Sequence, residues 1–379
     1  MKLTEEDLNY KLGKIRDIWN CFILEYKFFK NQIKFTEDMI RTNYFGDILG
    51  YFKDTFDIIF NYKQSNSYSE RFSNHIGLLQ SIYVQQDFIE ELLIIFKCSI
   101  NKGDLKNDPN YLLNREIRNE LVGHPIRKHR GQLISSCLFG YDGKSNAIVY
   151  LRYHRDNNYK FESMEYPISE IIERHKNFLD KYFDKILNKL KKSLVAFLKE
   201  IENIQNIIYH KTFQELLKVL EARFESIFKY DYIYDKISLL KVYDRKNEHK
   251  RYENFIDEFY EDLKIDLKEK KEYISELLEQ NKEIELNDFT LPLFDIKIVY
   301  SSEPKKSSKE LPVTYHYELG KLATKRNLMD FNFFADSLQN KCSENEIVLK
   351  ELSHMRSNIS NNIEYYSAFR LIYKELNER

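Results

Sequence analysis

Residues 109–134 read PNYLLNREIRNELVGHPIRKHRGQLI, and within them the chain changes its period. Ile117 and Leu121, four apart, can anchor a short helix over ~110–122. Pro109 restarts the chain ahead of it, and Gly123 followed by Pro125 is a stop signal. Beyond it come short runs rich in Ile, Val, Leu, Tyr and Phe, at ~132–139, ~146–154 and ~159–166. Asp142-Gly143 and Asp156-Asn157-Asn158 separate them with turn-forming residues. A small antiparallel β-meander over ~132–166 is therefore expected.

Upstream the period is helical. Leu8, Leu12, Ile15, Trp19, Phe22 and Tyr26 make one apolar stripe and predict a helix over ~5–29. Thr36 before Glu37 and Asp38 suits the start of a second helix reaching ~62, which Gly46 and Gly50 weaken without forbidding. After the polar loop Gln64–Ser67, a third helix runs to ~98 with Phe72, Ile76, Leu79, Tyr83, Leu92 and Phe96 inward. Downstream of the meander, Leu179, Phe183, Ile186, Leu190, Leu194, Phe197 and Ile201 place a long helix from ~168. Further helices are expected at ~211–229 and ~246–281, and a strand over Leu293–Tyr300. The run Ser301–Ser308 reads as a linker, and two or three helices close the chain. The domain reading is 1–200, then a helical middle region 201–300, a linker 301–312 and C-terminal helices 313–379.

The 379 residues hold 59 Lys and Arg against 60 Asp and Glu, a net charge of −1. Such a chain does not attract polyanions as a whole, so one would need a local basic patch. With 10 Gly and 6 Pro, little interrupts long helices. Cys21, Cys98, Cys137 and Cys342 form no CxxC pair and read as reduced thiols of a cytoplasmic protein. Neither a signal core nor an 18-residue apolar run is present, so no membrane association is expected. Phosphate-loop, dinucleotide, zincin, EF-hand and nucleophile-elbow patterns are missing. No two His stand four apart, so no metal or other cofactor is expected.

Local basicity is concentrated in one place. Seven of the sixteen residues from Arg115 to Arg130 can carry positive charge. With Ile117 and Leu121 facing the core, Arg118 and Asn119 lie on another face, and the helix stops just before His124. An imidazole that exchanges a proton near neutrality, beside a permanently charged guanidinium, suits phosphodiester chemistry. The Tyr-rich run Tyr230–Tyr234 reads as packing, and His354-Met355-Arg356 as surface.

Arg118, polar Asn119 and His124, with five residues between Arg and His, resemble the signature of the HEPN superfamily. The resemblance spans roughly residues 1–200, with specificity in about eight of them. It implies a mainly α fold: a HEPN-like helical bundle with the β-meander inserted, followed by a second helical region. It also implies a metal-independent endoribonuclease in which Arg118, Asn119 and His124 are catalytic and the products carry 2′,3′-cyclic phosphate ends. Arg127, Lys128, His129 and Arg130 would then hold RNA phosphates, with Asp87 or Glu90 (and less directly Gln85 and Gln86) in support. The implied partners are RNA, a second copy in a homodimer, and an antitoxin or other regulatory protein in a toxin–antitoxin or anti-phage setting. The alternative is a catalytically silent HEPN-like binding or regulatory domain.

Overall fold

The computed structural model describes residues 3–34, 36–129, 131–138, 146–223, 236–279, 315–324 and 327–377. Among these residues the protein is mainly helical with one small antiparallel sheet. It divides into two compact units, Met1–Phe197 and Leu198–Arg379. No helix among the described residues is long and apolar enough to cross a membrane.

In the first unit, α1 (Glu5–Ile18) opens on a capping box between Thr4 and Asp7. The single helix expected over 5–29 does not form. The chain widens into a π-turn, Trp19–Ile23, and then a 3₁₀ turn, Lys27–Phe29. Aromatic packing gives the reason. Tyr26, Phe28 and Phe29 gather around Phe197 with ring centroids 4.8, 5.2 and 5.0 Å away. The adjacent Phe28 and Phe29 could not both face inward from a straight helix.

The second expected helix is also divided, into α2 (Glu37–Arg41) and α3 (Tyr44–Phe60). Asn43 breaks it with a left-handed φ of 52°, a conformation that Asn tolerates better than most residues. Its side chain folds over Gly46, where a Cβ would stand 2.4 Å from Asn43 Oδ1. A side chain at 46 would make Asn43 turn aside. The third helix, α4 (Tyr68–Ile95), forms as read. Its first turns are rotated from the expectation: Phe72 is 38% exposed, whereas Arg71 and His75 are buried.

Next come α5 (Pro109–Arg118), a second π-turn (Asn119–Gly123) and four strands. These are β1 (Ile126–His129), β2 (Gln132–Cys137), β3 (Ala147–His154) and β4 (Phe161–Pro167), paired antiparallel in that order. The sheet therefore has one strand more than expected, and β1 is the addition. The Asp142-Gly143 turn lies outside the described residues. One face of the sheet packs Ile148 and Tyr150 against Leu78, Leu79 and Ile82 of α4 and against Ile117 and Leu121. α6 (Ile168–Ile207) follows β4 directly.

The second unit contains α7 (Phe213–Arg223), α8 (Lys236–Asp244) and α9 (Lys250–Leu278). It closes with four helices: α10 (His316–Ala323), α11 (Leu328–Lys341), α12 (Glu346–Ser357) and α13 (Asn362–Asn377). Leu319, Phe331, Leu338, Val348, Met355 and Tyr365 form a core among these four, and α13 also packs on α9. Tyr230–Tyr234, the strand expected at 293–300 and the linker 301–312 lie outside the described residues.

Candidate active site

α5 is positioned from its first residue. Asp108 caps it by accepting from the Asn110 N–H at 2.9 Å, with Pro109 at the first helical position. Burial would raise the Asp108 carboxyl. Bonds from Lys181, the Asn110 N–H and Tyr182 outweigh that and hold it below the usual range. Tyr111, Asn114 and Ile117 turn inward. This orientation leaves Arg115 and Arg118 facing α4.

There the two arginines meet a polar stripe. Their guanidinium carbons stand 3.7 and 3.8 Å from the centroid of the Tyr83 ring. Two planar groups that near one centroid lie on its opposite faces. Arg115 also pairs with Asp87 at 2.6 Å. Arg118 instead donates from Nε and Nη2 to Oε1 of Gln80 (3.2 and 3.0 Å) and from Nη1 to Oδ1 of Asn119 (3.3 Å). Among the described residues, no carboxylate lies within ion-pair distance of Arg118.

The helix stop read at Gly123 takes another form. α5 widens into the π-turn, closed by the His124 N–H donating to the Asn119 carbonyl at 2.7 Å. Such turns recur at functional sites because they displace one residue from the helical spiral. Gly123 does not have a left-handed φ. Its role is space: a Cβ would stand 2.7 Å from Arg118 Nη1. The guanidinium thus runs back along the turn to the residue beside His124. Asn119 joins the two, its side chain to Arg118 and its carbonyl to His124. The His124 side chain is exposed and bonds none of the described residues.

The flanking cations divide. Arg127 faces inward and meets Glu120 at 2.5 Å. Glu120 also accepts from the Tyr150 hydroxyl at 2.5 Å and lies 3.7 Å from Arg152. Burial, and then this carboxylate, push the Tyr150 phenol up, so it stays a donor. Lys128, one residue on, is exposed on the other face. Arg130 and the His129 side chain lie outside what the structure describes.

The residues read as support have other engagements. Asp87 holds Arg115, and Glu90 accepts from the Gly103 N–H at 2.6 Å. Gln85 is buried and bridges Thr55 (2.7 Å) and His175 (2.8 Å). Gln86 donates to the Tyr111 carbonyl at 3.1 Å. The seat that does hold Arg118, Gln80 with Tyr83, escaped the sequence reading. A polar spacing of Gln80, Tyr83 and Asp87 along one face of α4 was the available signal.

The second unit holds another Arg–His cluster, where the sequence suggested surface. Arg251 contacts Glu351 at 2.9 and 2.8 Å. His354 Nε2 stands 2.7 Å from Arg251 Nη1 and 2.8 Å from Glu364 Oε2. That nitrogen can accept from the first or donate to the second, not both. Glu364 also accepts from Tyr252 at 2.6 Å and from Arg245. Met355 is buried, and Arg356 alone fits the surface reading, paired with Asp336 at 2.5 Å. Two cations face two carboxylates here, so little charge is left over.

The chain matches no family model, no curated protein and no solved structure.

Proposed function

We propose that Arg118, Asn119 and His124 form the centre of a metal-independent endoribonuclease. The observation that carries this reading is the guanidinium of Arg118. It is held by neutral groups, is uncompensated by any described carboxylate, and lies against the turn that ends at an exposed imidazole. A fixed cation and an imidazole on one turn are groups that phosphodiester transfer can use.

In this reading the RNA supplies its own nucleophile. The ribose 2′-oxygen attacks phosphorus, the P–O5′ bond breaks, and the products end in a 2′,3′-cyclic phosphate and a 5′-hydroxyl. One proton leaves the 2′-hydroxyl and another reaches O5′, while Arg118 faces the charge building on the phosphorane oxygens. Among the described side chains one copy places a single imidazole at this turn, so a homodimer that brings in His124 of a second copy would supply both transfers. The toxin–antitoxin or anti-phage setting, with an antitoxin or other regulator as partner, rests on the resemblance to HEPN nucleases alone.

The isolation of the His124 imidazole, which no described residue orients, favours a second reading: a domain that binds RNA without cutting it. Labelled single-stranded RNA incubated in EDTA with the parent protein and with His124→Ala separates the two. Cleavage by the parent alone, leaving cyclic-phosphate ends, supports the nuclease. Equal cleavage by both proteins removes His124 from the chemistry, and cleavage by neither leaves the binding module.

A further inference from the structure

The face of the β-sheet opposite the core is paved with aromatic and aliphatic side chains. Ile126, Ser135, Tyr153 and Phe161 are partners in register across all four strands. They therefore form one row on one face. Leu133 lies beside the row, opposite Lys128. Ile126 is 79% exposed, Leu133 73%, Phe161 65% and Tyr153 36%. Alternation puts Ile148 and Tyr150 on the other face, where both are buried. Tyr159, 58% exposed, extends the row from the β3–β4 turn. Its ring lies 6.0 Å from that of Tyr153, which lies 5.2 Å from that of Phe161. Tyr159 stands there in a left-handed conformation, φ 55°, one that a bulky residue rarely adopts. Burial does not offset that strain, because the ring projects into solvent.

Charge selects the occupant. Residues 126–167 carry seven Lys and Arg against four Asp and Glu, while the chain as a whole is nearly neutral. Arg127 and Arg152 are taken by Glu120 and Glu162 on the inner face. Lys128, Arg155 and Lys160 remain exposed around the aromatic row. Of the acidic residues nearby, Asp156 accepts from Gln132 in the turn, and Glu165 lies at the far end of β4, opposite Val149. Flat rings bordered by cations suit unpaired bases joined by phosphates. An apolar protein partner would gain nothing from the cations.

We propose that this face is a stacking platform for single-stranded RNA, with bases on Tyr153, Tyr159 and Phe161 and phosphates at Lys128, Arg155 and Lys160. The choice of RNA rests on the reading of Arg118 and His124 given above. The row begins at Ile126, two residues after His124, and spans three strand spacings, or about 14 Å. A strand lying along it is delivered to the π-turn. Sheet-borne aromatics hold two or three bases in this way, and stacking itself tolerates any base.

The test is fluorescence anisotropy with a short labelled single-stranded RNA, in the His124→Ala background so that nothing is cut. The triple variant Tyr153→Ala, Tyr159→Ala, Phe161→Ala should bind at least about tenfold more weakly. Tyr153→Phe with Tyr159→Phe should bind like the parent, because stacking needs the ring and not the hydroxyl. DNA of the same sequence should bind comparably, and duplex RNA more weakly. Unchanged affinity in the triple variant, or no affinity in the parent, overturns the platform. So does a parent that self-associates in sedimentation while the triple variant does not and binds RNA equally, since a second copy would then own the face. The EDTA cleavage assay is scored separately. Stacking without cleavage would end the nuclease reading and keep the platform, and cleavage without stacking the reverse.

Discussion

Each unit of the protein sets an arginine near a histidine, and the two clusters differ in almost everything else. Arg251 and Glu351 are 8% and 2% exposed, Glu364 is 8% exposed, and every cation there has a carboxylate. Arg118 has an amide, a ring and an Asn side chain, and His124 stands in solvent. Burying charge is tolerable only when it is paired and hydrogen-bonded. The closed cluster meets that condition and has no electrostatic need left for a ligand. The open cluster leaves one positive charge for an anion to answer. The same residue types therefore serve cohesion in one unit and recognition in the other.

The comparison is broken most directly by activity. In the EDTA assay, His124→Ala should reduce RNA cleavage by about 10²–10⁴-fold. Arg118→Ala should reduce it by about 10²–10³-fold. His354→Ala should leave the rate per folded molecule unchanged. A loss with His354→Ala equal to that with His124→Ala would erase the distinction between the clusters.

Stability should show the opposite ranking. Glu364→Gln removes the negative charge and sets an amide among Arg245 and Tyr252, which donate to the native carboxylate, and His354, whose Nε2 lies 2.8 Å from it. Arg245 is half-exposed, so the loss is that of hydrogen bonds to a charged group, about 1.5–3 kcal/mol, and urea unfolding followed by circular dichroism should show a loss of that size. Trp19 is the only tryptophan and is 3% exposed in the first unit. Its fluorescence should report that unit as unchanged. An equal shift of both signals would mean that the two units unfold as one.

Acid should separate the units along the same line. Burial, and next the Arg71 charge, lower His75 to about 4, and burial lowers His175 to about 3. Both are neutral when folded and bind protons more readily when unfolded. The first unit thus loses stability as pH falls from about 6.5 through these values. Glu364 is held down to about 2 against the push of burial, by Tyr252, Arg245 and His354. Its contribution is complete above about 4.5 and disappears only as pH falls towards 2. His249, half-exposed, is lowered by burial and Arg251 and is a smaller exception in the second unit. Trp19 fluorescence should therefore change at higher pH than the helical signal of the second unit. A Trp19 transition confined below pH 4 would remove both histidines from the account.

Much of the architecture was legible because local signals agreed. The switch from helical to strand period after Gly123, and the apolar face of α6, rest on residues near one another in sequence. β1 was missed because Ile126-Arg127-Lys128-His129 holds a single apolar residue, and without β1 the opposed faces of Arg127 and Lys128 could not be foreseen. The break at Trp19 comes with packing against Phe197, a partner no local window reveals, whereas the left-handed Asn43 and Gly46 stand three residues apart. At the candidate site, Arg118, Asn119 and His124 are legible from their spacing, the polar Asn119, the Gly123 stop and the basic flank, all within one short segment. The Gln80–Tyr83 seat lies on a different helix, and nothing in residues 109–134 points to it.

The smallest expected effect bears on Gly123. Glycine at a helix end commonly supplies a left-handed φ, and alanine there destabilises the fold. Gly123 has no such φ, and alanine is otherwise the better helix former. Stability should therefore move by less than about 1 kcal/mol. Cleavage should suffer instead, because the new Cβ would crowd Arg118 Nη1 from 2.7 Å and displace the guanidinium by a fraction of an ångström. Misplacement on that scale lowers turnover by about tenfold. Gly123→Ala with normal stability and reduced cleavage ties the position of Arg118 to the chemistry. The reverse, a weakened fold that cuts normally, would make Gly123 an ordinary helix stop and detach the guanidinium from the π-turn.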